Sequence, residues 1–401
     1  MRQGTLPLDQ APFLMLSDPK MSVRAPEVRA ARAASWYART PYGLAILRHA
    51  EMGRLLIHPS LRQGSHNWAA LNGVHSGAFA DWWGKTILVT EGADHTRLRR
   101  LVNPAFTPKR VRTLMPAFEA LTESLMADWI DTGSCDFMAD FADPYAGRVL
   151  TILMGMPGGM AADILRFAAD MGLGLGVTYK DCLPRIDAAT EAMCALVQAA
   201  IDVRRTAPGD DVLSLLVAAA QQQNGLTEEE LLNLGVMIVF AGVDTTRNQL
   251  GLGMSLFIEH PTQWEALAAN PGLDLAAANE CMRLRPTITW VTREAVEDFE
   301  FQGLPIAKGT TLHLMSESAG TDPKVFDNAP FDITARRGIN YGFGGGIHVC
   351  LGRIVARNDM AVAYRLLSRR MTNIRPAGAP AYLPDSGNTG PICLPITFDL
   401  R

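Results

Sequence analysis

The longest helix that this sequence can form constrains its fold more than any other feature. Thr227 is followed three residues later by Glu230, which is the pattern of a capping box that opens an α-helix. Helix-forming residues continue to Glu259, and His260-Pro261 then ends the helix. About 33 residues span roughly 50 Å, which is long enough to cross a whole domain. We therefore expect this helix to run through the core of a large α-rich domain.

Helical periodicity dominates the first half of the chain, and β-rich runs lie in the second half. Apolar residues recur at three- and four-residue spacing in residues 94–103, 113–131, 138–155, 160–172, 186–207 and 210–223. A further helix is predicted from Asp274 to Leu284, β-rich runs begin at Thr287, and residues 382–400 are predicted to form a hairpin. The polar region 60–86 is predicted to be loop. The pattern predicts a mainly α fold with a small β portion.

Composition narrows the class of protein. No linker divides the 401 residues, so a single domain over residues 1–401 is expected. The formal net charge of -4 argues against a nucleic-acid partner. Six cysteines without a CxxC pair indicate neither a zinc site nor a disulfide framework, which favours a cytoplasmic protein. With no signal pattern and no apolar run of about 18 residues, no membrane association is expected.

Cys350 lies in a glycine-rich decapeptide, Phe343 to Gly352, and a helix is predicted directly after it, from Leu351 to Met371. A thiol at a helix N-terminus is a good metal ligand, because the helix dipole and the N–H groups of the first turn lower its pKa. The glycines allow a large flat group to approach the backbone closely. The alternative is a buried structural cysteine that binds nothing.

The pattern Phe343, Gly346, Cys350 and Gly352, at relative positions 1, 4, 8 and 10, resembles the haem-binding loop of the cytochromes P-450. The resemblance implies the cytochrome P-450 fold, with haem b between a long distal helix and a proximal Cys loop. It implies that Cys350 binds the haem iron and that Phe343, Gly344 and Gly352 contact the haem.

The middle of the long helix carries a second motif. Residues 241–246, Ala-Gly-Val-Asp-Thr-Thr, interrupt good helix formers and predict a weak point in the helix. One interpretation is structural: threonine hydroxyls bond to carbonyls four residues earlier, and Gly242 allows close helix packing. The run also resembles the acid-alcohol motif of the cytochromes P-450. The resemblance implies that Ala241 and Gly242 form a groove over the iron, Thr245 hydrogen-bonds dioxygen and Asp244 relays protons.

Basic residues are predicted to surround the haem propionates. His95 and Arg99 lie four residues apart, so both share one helix face, which alone is compatible with a solvated basic surface. The resemblance assigns both to the propionates, together with Arg293 and His348.

The Glu280-x-x-Arg283 spacing is that of an ordinary surface pair, but it also resembles the family's structural ion pair behind the haem loop. The family's third member is an Arg at the position of Ala335, so Arg336 or Arg337 is the candidate to replace it.

The resemblance also implies five segments that line a substrate pocket: residues 60–90, residues 165–185, the long helix before Gly242, the strand after Pro286 and the turn of the C-terminal hairpin. The substrate-binding residues predicted on them are Trp82, Trp83, Leu88, Met237, Phe240, Thr289, Val291 and Asn388. For the tryptophans, packing in a surface loop is the alternative. A mostly apolar lining with aromatic bulk predicts a small or medium lipophilic substrate.

The implied function is a monomeric haem-thiolate monooxygenase that uses dioxygen. The chain has no flavin- or NAD-binding segment, so electrons are expected from an external ferredoxin and its reductase. Arginines that could form a cationic surface for that partner, or be simply solvated, are Arg97, Arg100, Arg336, Arg337, Arg353 and Arg357. Two alternatives stay open: a peroxide-driven peroxygenase, which usually lacks the acid-alcohol pair, and a non-catalytic haem carrier or sensor.

Overall fold

The structure is a computed structural model that describes residues 5–176, 179–327, 330–385 and 387–401. Its α-helices are α1 (Pro26–Ala34), α2 (His49–Leu55), α3 (Trp68–Leu71), α4 (Ala78–Trp83), α5 (Gly92–Val102), α6 (Pro108–Ala127), α7 (Asp143–Met154), α8 (Ala161–Gly172), α9 (Leu183–Thr206), α10 (Val212–Ala220), α11 (Glu228–Glu259), α12 (Pro261–Ala269), α13 (Asp274–Leu284), α14 (Ser316–Gly320), α15 (Pro323–Phe326) and α16 (Arg353–Ser368). Its strands are β1 (Tyr37–Thr40), β2 (Gly43–Ile46), β3 (Leu61–Gln63), β4 (Ser134–Asp136), β5 (Trp290–Ala295), β6 (Phe299–Phe301), β7 (Leu304–Ile306), β8 (Thr311–Met315), β9 (Met371–Pro376), β10 (Ala381–Tyr382), β11 (Pro391–Cys393) and β12 (Pro395–Leu400). The fold is mainly α with small sheets, as predicted.

The long helix α11 begins at the predicted capping box. The Thr227 hydroxyl accepts from the Glu230 N–H at 3.2 Å, and the Glu230 carboxylate accepts from the Thr227 N–H at 2.9 Å. The helix is unbroken through residues 241–246, so the predicted weak point does not interrupt it. Gly242 serves helix packing instead. A Cβ there would lie 2.9 Å from Leu150 of α7, so the glycine lets α7 and α11 pack closely.

Helices α7, α8, α9 and α13 pack around α11. Most α11 residues are buried, which is typical of a helix that is apolar on all sides and forms the centre of a domain core. Within the described ranges, no helix is long and apolar enough to cross a membrane.

The sheets are small and mostly antiparallel. The largest has the strand order β1-β2-β8-β5-β3, with β2 and β8 parallel, and it packs over its own apolar cluster. The predicted C-terminal hairpin extends only to Cys393: β10 pairs with β11, whereas β12 pairs with β9 and β4. A tertiary contact directs the chain from β11 into the other sheet: the Leu394 N–H donates to the carboxylate of Asp136, the last residue of β4, at 3.0 Å.

The region 60–86, predicted to be loop, contains β3, α3 and α4. The first turn of α4 is held from outside, because the Phe79 N–H donates to the carboxylate of Asp187 on α9 at 2.9 Å. Since Asp187 is distant in sequence, local propensity could not predict this helix.

Candidate active site

Backbone contacts fix the Cys350 loop, residues 343–352, on both sides of the sulfur. The Cys350 N–H donates to the carbonyl of Phe343 at 3.0 Å. The sulfur accepts from the N–H groups of Gly352 and Arg353, where α16 begins. Gly346 has φ +67°, and a Cβ there would lie 2.7 Å from the carbonyl oxygen of Leu56, just after α2. This turn therefore requires glycine.

The thiol of Cys350 does not have the lowered pKa that the sequence predicted. Burial raises its pKa, and this effect outweighs the N–H of Gly352 and the positive charges of Arg99 and Arg353, which lower it. The prediction was wrong for the protein alone because it counted the helix N-terminus and not the desolvation. A bound metal ion deprotonates a coordinating thiol outright, so the site remains suitable for iron.

The four basic residues assigned to the propionates come together beside this loop. The rings of His95 and His348 have centroids 4.4 Å apart. Arg99 Nη2 donates to the carbonyl of Val349 at 3.0 Å. Arg293, on β5, lies close enough for its charge to act on His348. The predicted cluster is therefore assembled from three separate parts of the chain.

A carboxylate that the sequence reasoning missed, Glu91, lies among them. Its Oε1 is 3.0 Å from His348 Nε2 and accepts from the Gln63 N–H at 2.6 Å. Glu91 is the N-cap residue of α5, the helix that carries His95 and Arg99. Its place at the start of this helix could have indicated Glu91 from the sequence, since acidic residues favour helix N-termini.

Burial decides which of these groups carry charge. Burial, together with the charges of His348 and Arg99, lowers the pKa of His95 to about 4, and burial lowers the pKa of His348 despite the attraction of Glu91. Both imidazoles are therefore mainly neutral at pH 7. Arg293 is buried, and it forms no ion pair with a carboxylate in the described part of the chain.

These residues fit a haem, which is a flat apolar group with an iron and two carboxylates. Cys350 keeps accessible surface although protein surrounds it, so it borders an interior space. Met237, Ala241 and Thr245, four residues apart on α11, also keep partial exposure in a mostly buried helix. The buried guanidinium of Arg293 suits a propionate, since a buried charge without a partner is costly.

Asp244 is enclosed in a polar network. Its Oδ1 accepts from Arg247 Nε at 2.9 Å, and its Oδ2 accepts from Asn388 Nδ2. Arg247 Nη1 also lies 3.3 Å from Asp143 Oδ1 at the start of α7. Burial raises the pKa of Asp143, and Arg247 opposes that rise. The neighbouring Thr245 hydroxyl donates to the carbonyl of Ala241 at 2.6 Å. The sequence reasoning missed Arg247, although its spacing from Asp244 equals that of the Glu280–Arg283 pair.

The Glu280–Arg283 pair is not a surface pair. Both side chains are almost completely buried, at 3% and 1% exposure, and two hydrogen bonds of 2.6 and 2.7 Å join them. Arg337 Nη2 is 3.3 Å from Glu280 Oε1, so Arg337 takes the place that the family's Arg has at Ala335. Arg336 is exposed.

The predicted substrate residues separate into two groups. Trp82, Trp83 and Phe240 are buried in an aromatic cluster with Phe79, and the ring centroids of Trp82 and Phe240 are 5.6 Å apart. Trp83 Nε1 donates to the carbonyl of Ser65 at 3.0 Å. Those that keep partial exposure are Leu88, Met237, Val291 and Asn388.

Thr289 is fully buried, and its N–H donates to the carbonyl of Gly387 at 2.7 Å, so strand pairing occupies it. In the segment 165–185, Val177 and Thr178 lie outside the described residues.

The arginines behind the Cys350 loop line a groove of about 840 Å³. Arg336, Arg337, Arg353 and Arg357 are in its wall. Arg97 does not belong to this surface, because it pairs with Glu230 at the start of α11.

Comparisons with known proteins agree with this geometry. The family model Cytochrome P450 matches residues 275–371. The chain is 36% identical to luteothin monooxygenase of Streptomyces thioluteus over 391 residues, which cover 96% of each protein. It is 32% identical to the polyketide biosynthesis cytochrome P450 PksS of Bacillus subtilis over 73% of this chain and 72% of that protein. The crystal structure of CalO2 has a TM-score of 0.86 and 27% identity, and the match covers 93% of this chain and 95% of that one.

The relatives that carry these names are monooxygenases and P450 enzymes, and the likeness to luteothin monooxygenase extends along almost the whole chain. The fold, the thiol loop and the buried ion pair are those that the resemblance implied. This chain belongs to the cytochrome P450 family and is a P450 monooxygenase with a haem-thiolate cofactor.

Proposed function

We propose that residues 1–401 form one haem domain that binds haem b and uses dioxygen to hydroxylate, or otherwise oxidise, a small-to-medium lipophilic molecule. Its electrons come from an external ferredoxin and ferredoxin reductase. The observation that carries the proposal is the presence, in one chain, of two features: a thiol fixed by backbone donors at the start of α16, and the neighbouring Asp244 and Thr245 on the buried helix α11.

Cys350 Sγ would hold the iron, and the propionates would be held by Arg99 and Arg293 with neutral His95 and His348 as hydrogen-bond partners. When bound, the haem iron supplies dioxygen activation, which thiolate ligation favours. The buried ion pair of Glu280 with Arg283 and Arg337 holds the protein behind the loop, because backbone that carries a metal ligand needs rigid support.

Asp244 and Thr245 supply protons. Dioxygen cleavage consumes protons, and a positioned hydroxyl beside a carboxylate can deliver them one at a time. The Thr245 hydroxyl donates to the carbonyl of Ala241 in the structure, and a rotation about χ1 directs it towards the interior space. Asp244 takes up a proton from water and passes it to Thr245 Oγ1, which restores the hydroxyl.

The substrate is a small-to-medium lipophilic molecule. Met237 and Val291 provide partly exposed apolar surface, and the buried cluster of Phe79, Trp82, Trp83 and Phe240 packs behind it. The names of two relatives support a product of specialised metabolism, since one refers to luteothin and the other to polyketide biosynthesis.

The ferredoxin binds at the groove behind the Cys350 loop. Arg336, Arg353 and Arg357 give this surface positive charge, and small electron-transfer proteins of acidic character associate with such surfaces by charge complementarity. The groove lies next to the backbone that carries Cys350, which keeps the path of the electron short.

The test is Thr245→Ala, measured as product formed and peroxide released per NADPH consumed, with ferredoxin and reductase supplied. The ratio of product to NADPH falls and peroxide rises, because the hydroxyl that delivers protons is gone. The matched control is Thr190→Ala, since Thr190 makes the same hydroxyl-to-carbonyl bond on α9 and has no predicted role in the site. An unchanged ratio in Thr245→Ala contradicts the proposal. A screen of lipophilic molecules for the spin-state change of the Soret band identifies the substrate to use.

A further inference from the structure

Asn388 links the acid of α11 to the C-terminal hairpin formed by β10 and β11. Its Nδ2 donates to Asp244 Oδ2, and its Oδ1 accepts from the Thr287 hydroxyl at 2.7 Å. A carboxylate only accepts hydrogen bonds, so the end of the amide that faces Asp244 is the donor end. One N–H of the amide and one lone pair of its oxygen are therefore already used within the protein.

The backbone around Asn388 is also fixed. The Thr389 N–H donates to the carbonyl of Thr287 at 2.8 Å, and the Thr289 N–H donates to the carbonyl of Gly387 at 2.7 Å. Residues 287–289 and 387–389 thus form one short antiparallel unit. Any displacement of the hairpin turn moves the Asn388 amide with it.

Two contacts bring the end of α8 to the same place. A Cβ on Gly172 would lie 3.3 Å from Asp244 Oδ2, and a Cβ on Gly387 would lie 3.5 Å from the carbonyl oxygen of Leu175. Gly387 has φ +74°, so its backbone conformation also favours glycine. The end of α8 and the hairpin turn are two of the segments expected to enclose the substrate, and both touch the environment of Asp244.

On its other side, Asp244 is bound by Arg247, which Asp143 shares. The carboxylate is thus bound at the same time from two elements, by Arg247 of α11 through Oδ1 and by Asn388 of the hairpin through Oδ2. Loss of the amide leaves Arg247 alone to set the position of the carboxylate, away from the hairpin.

We propose that Asn388 is a positioning residue for Asp244, and that it couples substrate contact at the hairpin turn to the position of the proton-delivering carboxylate. The inference rests on the proposed function, in which Asp244 supplies protons. It adds to the predicted role of Asn388 as a substrate contact. The paired segments 287–289 and 387–389 connect the hairpin turn to Asp244, because the Asn388 amide joins them to α11.

The experiment compares Asn388→Ala, Asn388→Asp and the wild type. In Asn388→Ala, the substrate Kd from the spin-state titration stays within about twofold of the wild type, whereas product per NADPH falls by about threefold or more and peroxide rises. Asn388→Asp keeps the side-chain size but places a like charge beside Asp244, so its ratio falls further. The control is Gln198→Ala, because the Gln198 amide donates to the Asp202 carboxylate on exposed α9 in the same way.

A second measurement does not depend on turnover. The infrared difference between substrate-bound and substrate-free protein contains a carboxylate change that is lost in Asp244→Asn, and this change is absent in Asn388→Ala. A weakened Kd with an unchanged ratio of product to NADPH overturns the inference, since it shows a substrate contact. An Asn388→Ala protein that matches the wild type in every measurement also overturns it. If the wild type itself forms no product from any bound molecule, the proposed function fails instead, so the two failures are distinguishable.

Discussion

Two helices of this protein each carry an acidic residue followed three residues later by an arginine, in different surroundings. On α13, Glu280 and Arg283 are three residues apart, and on α11 Asp244 and Arg247 have the same spacing. The first pair is joined by two hydrogen bonds and is further held by Arg337 and by the carbonyl of Gly320 at 2.7 Å. The second has one direct bond, and each partner is shared with another group.

The two pairs suit different roles: the first supports a fixed part of the protein, and the second holds a group that moves. The hydrogen-bonding groups of Glu280 and Arg283 have their partners in one region of the protein, so the pair has a single arrangement. Breaking a buried pair of this kind costs several kcal/mol, about 3–5. The Asp244 carboxylate is bound by Arg247 through one oxygen and by Asn388 through the other, and because Asn388 lies on the hairpin turn, a movement of that turn can move the carboxylate. Behind the Cys350 loop the first arrangement fits a ligand that must not move. In the middle of α11, the second arrangement suits Asp244, a proton donor that must move.

The largest expected effect comes from making the same isosteric change in both pairs. Glu280→Gln leaves the buried Arg283 without a full counter-charge, and we expect a loss of about 3–5 kcal/mol in the free energy of unfolding. Asp244→Asn should cost only about 1 kcal/mol, because Arg247 keeps Asp143. Denaturant unfolding of both variants checks this. Equal losses would contradict the distinction between the pairs.

A third carboxylate–arginine pair sharpens the comparison through pH. Arg24 Nε lies 2.9 Å from Glu317 Oε2, yet burial raises the pKa of Glu317 to about 7, with Arg24 opposing and Asp385 adding to the rise. A carboxyl whose pKa is higher in the folded protein stabilises the fold below its unfolded pKa, and this contribution is lost as pH rises through about 7.

Between pH 5 and pH 8 the wild type should therefore lose up to about 3 kcal/mol relative to Glu317→Gln. The measurement is the free energy of unfolding of both proteins across this range, in which other titrating groups cancel. Parallel curves would show that Arg24 compensates the charge of Glu317 fully.

The smallest effect concerns the outer member of the rigid pair. Arg337→Ala removes a 3.3 Å contact to Glu280 and should lower stability by about 1 kcal/mol. Arg336→Ala, its exposed neighbour, should change stability by less than about 0.5 kcal/mol. Should the two variants lose the same amount, Arg337 does not support the pair.

Features set by neighbouring residues were predictable from the sequence. The capping box of Thr227 and Glu230 and the stop at Pro261 fix the bounds of α11, because helix ends depend on local hydrogen bonds. The Cys350 loop was likewise predictable, since its glycines and its helix are contiguous. The mainly α class followed from apolar periodicity over many segments.

Features set by distant residues were not predictable. Helix α4 needs Asp187, and Asp244 is held by Asn388, 144 residues away. The choice of Arg337 over Arg336 depends on how the loop after α15 folds against Glu280. The direction of the Cys350 pKa shift depends on burial, which a motif does not contain. Each of these is a tertiary contact or an effect of desolvation.

The absorption spectrum of the reduced protein with carbon monoxide tests whether Cys350 holds the haem iron as a thiolate. We expect a Soret band shifted to the long wavelength typical of thiolate ligation, present in the wild type and in a Cys281→Ala control, and lost in Cys350→His. Cys281 suits the control because it is a buried cysteine outside the loop. A wild-type band at the shorter wavelength typical of histidine ligation would contradict the claim.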